Sequence, residues 1–227
     1  MTAVARLAER VADVRGRVVA AAGGRTVTLV AVTKGLGGDT VAAARAAGLD
    51  DLGESYAQEL VAKADAIGEG GRWHFLGAVQ RRKVRVLAPV VHLWQSVDRV
   101  AAGREIACHA PGAAVLVQVN VTGLEGRNGC TWEEAPVLVD DLRGLGLDVR
   151  GLMAVAGRDD PRPQFRRLAA LGRRLELDEL SMGMSGDLDV ALEEGSTMVR
   201  IGEAIFGPRP VRDAAGGRNY PAAQGGS

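Results

Sequence analysis

Lysine is scarce in this sequence. Three lysines (Lys34, Lys63 and Lys83) stand against twenty-five arginines in 227 residues, so the positive charge is almost all guanidinium and an amine stands out wherever it occurs. Cysteine is limited to Cys108 and Cys130, which have no C-x-x-C spacing and no nearby histidine pair. That argues against a zinc site or a disulfide framework and for reduced thiols. His74, His92 and His109 show no ligand spacing and read as packed or surface residues, so no metal is expected. Net charge is absent, with 28 basic residues balancing 28 acidic ones, which disfavours nucleic acid as a partner. Arg81, Arg82, Lys83 and Arg85 form the one basic cluster, accounted for by a solvated helix face. No apolar run approaches membrane-spanning length. The N-terminal segment, with Arg6, Glu9, Arg10, Asp13 and Arg15, lacks the apolar core of a signal peptide. These absences point to a cytoplasmic protein with no membrane contact.

What is present is alternation. Val4, Leu7, Val11, Val14 and Val18 recur at intervals of three and four, the stripe of an amphipathic helix. Beyond Gly23 and Gly24, strands are expected near 27–34, 50–54, 72–77, 91–97, 114–121, 149–155, 179–184 and 197–202. Helices are expected between them near 38–48, 55–67, 79–88, 98–109, 132–145, 162–176 and 187–195. Strand and helix alternating about eight times predicts a parallel sheet closed into a (β/α)8 TIM barrel, preceded by an N-terminal helix. The barrel domain is expected to span residues 1–207. Residues 208–227, rich in Pro, Gly and Ala and without periodicity, read as a mobile tail.

In such a barrel, chemistry sits at the C-terminal ends of the strands. In the stretch LVAVTKGLGG (29–38), period-two alternation places Thr28, Val30, Val32 and Lys34 on one face, so Lys34 points into the barrel mouth if the valines fill the interior. A partly buried lysine loses charge readily and becomes a nucleophile toward aldehydes. That chemistry fits pyridoxal phosphate, retro-aldol enzymes and other carbonyl substrates alike. Late in the chain, LSMGMSGDLDVALEEG (180–195) and MVRIGEAIFG (198–207) place Ser185 and the backbone at Gly202 and Glu203 in the loops after strands seven and eight, where barrels often bind phosphate. Arg200 shares the face of Gly202 and can reach the mouth. A dinucleotide loop at GLGGDT fits poorly, because the fingerprint needs glycine where Thr40 stands.

Taken in order, AVTK (31–34), DLGESYAQEL (51–60), WHFLGAVQRRKV (73–84), SVDR (96–99), QVNVTG (118–123), RGLMAV (150–155), LSMGMSGD (180–187) and GSTMVRIGEAIFG (195–207) resemble the pyridoxal phosphate homeostasis proteins. Those proteins look like the barrel domain of alanine racemase without its second domain. The resemblance implies a monomeric pyridoxal 5'-phosphate (PLP) binding protein that holds the cofactor as a Schiff base on Lys34. It implies that Ser185, Gly202 and the Glu203 amide bind the phosphate and that Arg200 faces the pyridine nitrogen. It also implies a role in maintaining PLP and supplying it to apoenzymes, without catalytic turnover of its own. A PLP-dependent racemase or lyase is the alternative, and a barrel aldolase would share the lysine and the phosphate loop. Three positions depart from the family pattern: Ser55 replaces an asparagine, Glu203 a threonine or serine, and Arg127 a lysine. The only tyrosines, Tyr56 and Tyr220, are poorly placed to act as the second base that racemisation needs.

Overall fold

The computed structural model describes residues 3–68, 70–157 and 159–208. The tail expected over 208–227 lies, apart from Pro208, outside the described residues. After helix α1 (Ala3–Ala21) the chain alternates β1 (Thr28–Val32), α2 (Gly38–Ala46), β2 (Asp51–Glu54), α3 (Ala57–Ile67), β3 (Arg72–Phe75), α4 (Arg81–Leu87), β4 (Val91–Val97), α5 (Val100–His109) and β5 (Ala114–Gln118). It continues through α6 (Glu134–Gly144), β6 (Asp148–Met153), α7 (Arg162–Arg174), β7 (Glu179–Ser181), α8 (Leu188–Glu193), β8 (Met198–Ile201) and α9 (Glu203–Phe206). The eight strands pair in parallel and in sequence order, and β8 closes back on β1.

This is the expected (β/α)8 barrel, with strands mostly shorter than periodicity suggested. β1 ends at Val32 rather than Lys34, and β8 at Ile201 rather than Gly202. The four-residue α9 was not anticipated, since one turn is too short to show a 3.6-residue period. Other helix boundaries carry readable signals. In TWEE, the Thr131 hydroxyl accepts the Glu134 amide (3.2 Å) while the Glu134 carboxylate accepts the Thr131 amide (2.8 Å), a reciprocal capping box before α6. Pro163 sits in the first turn of α7, where its missing N–H costs nothing.

Two cores hold the barrel. The larger lies between sheet and helices, where outward side chains such as Leu52, Trp73, Phe75, Trp94 and Val115 meet Leu60, Ile106, Leu142, Phe165 and Leu168. Burying each large side chain stabilises the fold by about 1.5–3 kcal/mol. Val11, Val14 and Val18 of α1 join this core, whereas Val4 on the same stripe remains 59% exposed. The smaller core fills the barrel itself with Val30, Leu93, Ala114, Leu116, Met153 and Met198. Val30 therefore points inward, as the alternation of β1 required. Where strands crowd, glycine is obligatory: a Cβ on Gly151 would lie 1.8 Å from the Glu179 carbonyl oxygen of the neighbouring strand. No described helix is long and apolar enough to cross a membrane.

Candidate active site

Lys34 lies in the turn that leaves β1 toward α2, half-buried, two residues beyond the strand. The turn is closed by the Leu36 amide donating to the Thr33 carbonyl (3.0 Å), with Gly35 at φ 77° in its third position. That left-handed conformation explains why glycine follows the lysine. Elements beneath the turn fix it further. The Gly35 amide donates to the Glu59 carboxylate (2.7 Å), and the Lys63 ammonium, from the same helix α3, donates to the Thr33 carbonyl (2.8 Å). Lys63 also pairs with Glu54 at the end of β2, and the Thr33 hydroxyl donates to that carboxylate (2.8 Å). The residues flanking Lys34 are thus clamped from below by a buried acid–base cluster.

The three lysines have different fates. The Lys63 side chain is buried and held by Glu54 and Glu59, while Lys83 sits on α4 at the outside of the barrel. Of the three, Lys34 is the one that stands in the turn directly following a strand.

Arg200 projects from β8 into the interior, in register with Val30 of β1, and is 5% exposed. Its Nη1 donates to the Ser181 hydroxyl (2.6 Å) and its Nη2 to the Ala154 carbonyl (2.7 Å), both neutral acceptors. Burial pulls its pKa down to about 10, which still leaves a cation at neutral pH that can only donate.

The loops after β7 and β8 meet at the C-terminal ends of the strands. The Ser185 hydroxyl accepts the Ala204 amide (3.3 Å), joining one loop to the first turn of α9. Gly202 caps α9 and lies close to β1: a Cβ there would be 3.3 Å from the Val32 carbonyl oxygen. Glu203 is exposed at the start of α9, and the Asp187 carboxylate caps the Met184 amide (2.6 Å). The structure therefore brings Ser185, Gly202 and Glu203 together at the ends of β7 and β8, with Arg200 below them and Lys34 on the adjoining β1 turn. The donor set suits a ligand carrying an aldehyde, a phosphate and a ring nitrogen: an amine, a hydroxyl with helix-opening amides, and a buried guanidinium. Ser55 is half-buried beside Glu54, and its amide donates to the Glu54 carboxylate (3.2 Å).

Sequence reading missed the polar residues behind this site. Thr33, Glu54 and Lys63 under the Lys34 turn, and His74, Gln95 and Ser181 inside the barrel, are all 5% exposed or less. Period-two parity was the available signal for the barrel set, since His74 and Gln95 fall on the inward face of their strands. Tyr56 is 56% exposed at the start of α3, and Tyr220 lies outside the described residues.

Comparison with known proteins places the chain and its fold. Residues 4–210 match the family described as alanine racemase, N-terminal domain. A pyridoxal phosphate homeostasis protein of Pseudomonas aeruginosa is 40% identical over 220 residues, covering 89% of this chain and 96% of that protein. PipY of Synechococcus elongatus, solved with PLP bound, superposes with a TM-score of 0.79 at 28% identity, covering 88% of this chain and all of that one. Alanine racemase from Corynebacterium glutamicum shares the fold (TM-score 0.69, 18% identity), with this chain covering 64% of it. By its sequence and its barrel, the chain belongs to the pyridoxal phosphate homeostasis proteins, within the family of the alanine racemase N-terminal domain.

Proposed function

We propose that this chain binds pyridoxal 5'-phosphate at the barrel mouth, linked to Lys34, and holds it for supply to other proteins rather than using it for catalysis. When bound, the cofactor supplies an aldehyde that condenses with an amine and a ring that withdraws electrons. Lys34 provides the amine. Ser185, with the backbone at Gly202 and Glu203, provides hydrogen-bond donors for the phosphate; the exposed Glu203 carboxylate can turn away from it while its amide contributes. The reading extends to a cytoplasmic monomer whose recipients are apoenzymes that use the same cofactor.

Arg200 carries the non-catalytic part of the reading. Carbanion chemistry on the ring is strongest when the ring nitrogen is protonated, which an acidic partner promotes. A buried arginine bonded to neutral groups can only donate, and so keeps that nitrogen unprotonated. Racemisation also needs a second acid–base group over the opposite face, and the exposed Tyr56 is a poor candidate for it.

Two measurements test the proposal. Borohydride reduction of the PLP-loaded chain should leave a pyridoxyl group on the Lys34 peptide, and Lys34→Ala should abolish the absorbance band of the bound cofactor. Labelling at Lys63 or Lys83 would overturn the assignment. Incubation with alanine or serine in deuterated water should show no α-hydrogen exchange at enzymatic rates, and turnover near about 10 per second would make the chain an enzyme.

A further inference from the structure

A single file of polar side chains runs through the barrel interior from mouth to floor. Arg200 Nη1 donates to Ser181 Oγ (2.6 Å) and Ser181 Oγ donates to Gln95 Oε1 (2.6 Å). Gln95 Nε2 lies 2.8 Å from His74 Nδ1, and His74 Nε2 lies 3.0 Å from Asp51 Oδ1. Arg72 ends the file with two hydrogen bonds to the Asp51 carboxylate (2.8 and 2.6 Å). Ser181 and Gln95 are fully buried and His74 is 2% exposed, so each must find its partner within the file.

The two ends dictate the direction of every hydrogen bond between them. A guanidinium only donates, and an ionised carboxylate only accepts. Asp51 is ionised: burial raises its pKa, but hydrogen bonds from Arg72 and His74 outweigh burial and hold it well below the usual carboxylate range. With Arg200 donating at one end and Asp51 accepting at the other, Ser181 passes its proton toward Gln95, whose amide N–H points to His74. The Gln95 orientation has a second witness, because Nε2 also lies 2.9 Å from Met198 Sδ. Turning the amide over would set its oxygen against the lone pairs of both that sulfur and a neutral Nδ1. The file closes only if His74 is neutral with its proton on Nε2. A proton added at Nδ1 would face the Gln95 amide protons, and the file could re-form only by turning the amide and freeing the Ser181 proton from it.

We propose that His74 is a positioning residue for Arg200: acting through Gln95 and Ser181, its neutral Nε2–H form fixes the guanidinium in the barrel mouth, and protonation at Nδ1 loosens it, because the turned Gln95 amide then competes with the guanidinium for Ser181 Oγ and leaves the buried Ser181 proton without its acceptor. The consequence for a bound cofactor rests on the PLP reading above; the hydrogen-bond file itself does not. The charged and titratable groups around His74 are Asp51 of β2, Arg72 of β3, His92 of β4, whose ring packs edge-on with centroids 5.9 Å apart, and Glu179 of β7, itself 4.0 Å from Arg150 of β6. Acid and base are thus both present at the floor, and the file's direction, not a bare charge balance, selects the neutral ring.

The test begins with the wild-type chain free of cofactor. Nitrogen NMR of 15N-labelled histidine at pH 8, with the three rings assigned from His92→Gln and His109→Gln variants, should show His74 neutral and protonated on Nε2. An imidazolium, or a proton on Nδ1, would overturn the proposal. On lowering the pH, the protection of the Arg200 guanidinium protons, their exchange rate relative to a free guanidinium at the same pH, should fall by about tenfold or more, with the same midpoint as the His74 signal. Exchange that ignores the His74 midpoint would equally overturn it. Gln95→Leu should accelerate that exchange at pH 8 without acid; if this variant does not fold, the wild-type titration decides alone. For the PLP-loaded chain, the dissociation constant should rise about tenfold across the same midpoint, as one lost charge-assisted hydrogen bond predicts, and this step should vanish in Gln95→Leu. A chain that binds no PLP at all would refute the function proposed above while leaving the first two measurements to judge the role of His74. A cofactor affinity blind to the His74 midpoint would refute the positioning role with the function intact.

Discussion

Replacing Lys63 with methionine isolates the cluster that holds the Lys34 turn. The Lys63 ammonium makes three contacts: the Thr33 carbonyl at 2.8 Å, the Glu59 carboxylate at 3.1 Å, and the closely paired Glu54 carboxylate. Lys63→Met is nearly isosteric along the stem, so packing is largely kept and the charge alone is lost. What remains is Glu54, with a fully buried side chain, accepting hydrogen bonds from the Thr33 hydroxyl (2.8 Å) and the Ser55 amide (3.2 Å) with no cation beside it. Removing one partner of a buried pair costs about 3–5 kcal/mol, because the other charge is left uncompensated. With a urea dependence of roughly 2–3 kcal/mol per molar for a domain of this size, the unfolding midpoint should fall by about 1–2 M.

The same argument fixes a pH dependence. Burial already pushes the Glu54 pKa above its ordinary value, outweighing the hydrogen bond and attraction of Lys63, and losing Lys63 must push it further. A carboxyl whose folded pKa exceeds its unfolded value binds more protons in the folded state. Stability therefore falls as pH rises from the unfolded value through the folded one, and is recovered on acidification. Urea unfolding of wild type and Lys63→Met, followed by circular dichroism at pH 8 and pH 5, should show the gap between them narrowing at pH 5. Glu54→Gln added to Lys63→Met should recover part of the loss at pH 8, since no uncompensated charge then remains. A gap below about 1 kcal/mol, or one that is the same at both pH values and indifferent to Glu54→Gln, would refute the reading of Glu54 as an ionised buried partner.

Three further outcomes are expected. Ser185→Ala should weaken PLP binding by about 1–2 kcal/mol, the cost of one hydrogen bond to a charged group, and leave binding of pyridoxal, which has no phosphate, nearly unchanged; calorimetric titration of both ligands checks it. Gly151→Ala should destabilise the barrel by about 3 kcal/mol or more, because its Cβ would meet the backbone oxygen of Glu179 at 1.8 Å, and denaturant unfolding reads the loss. Arg200→Glu in a chain that still binds PLP should raise background α-hydrogen exchange of bound amino acids, since a carboxylate there favours ring protonation; proton NMR in deuterated water follows it, and an unchanged rate would place Arg200 away from the ring.

The barrel was legible because its signal is repetitive: eight strand segments with seven helical segments between them. Strand ends were less so. Hydrogen bonding continues past several of them, as when the Thr33 amide donates to the Gly53 carbonyl (2.9 Å) one residue beyond β1, and a run of apolar residues does not mark where regular geometry stops. Parity singled out Lys34 and Arg200 as candidates; the structure puts Arg200 on the inward face of β8 and Lys34 in the turn two residues beyond β1. The residues behind them were not singled out, because their meaning lies in pairs distant in sequence. Gln95 and Ser181 stand 86 positions apart, and Gln95 and His74 stand 21 apart on neighbouring strands. Within WHFLG and LWQSV, histidine and glutamine look like polar interruptions of buried strands, and only barrel closure shows that they face one another. Glu59 and Lys63 differ: their i,i+4 spacing on one helix was readable, but not that the pair sits beneath the Lys34 turn.

The shortage of lysine acquires a chemical reading from the placement of the three that remain. An aldehyde ligand reacts with accessible amines wherever they are, and a guanidinium, protonated at all ordinary pH, does not compete for it. A surface whose cations are almost all arginine presents few such amines. Lys63 is withdrawn into contact with two carboxylates and a carbonyl, and Lys83 lies on α4, which follows β3, whereas the loops that could receive a phosphate follow β7 and β8. On the function proposed above, selectivity for Lys34 need not come from unusual reactivity at that one amine. It follows from where the strand ends put Lys34, and from the acid–base cluster that fixes the residues on either side of it.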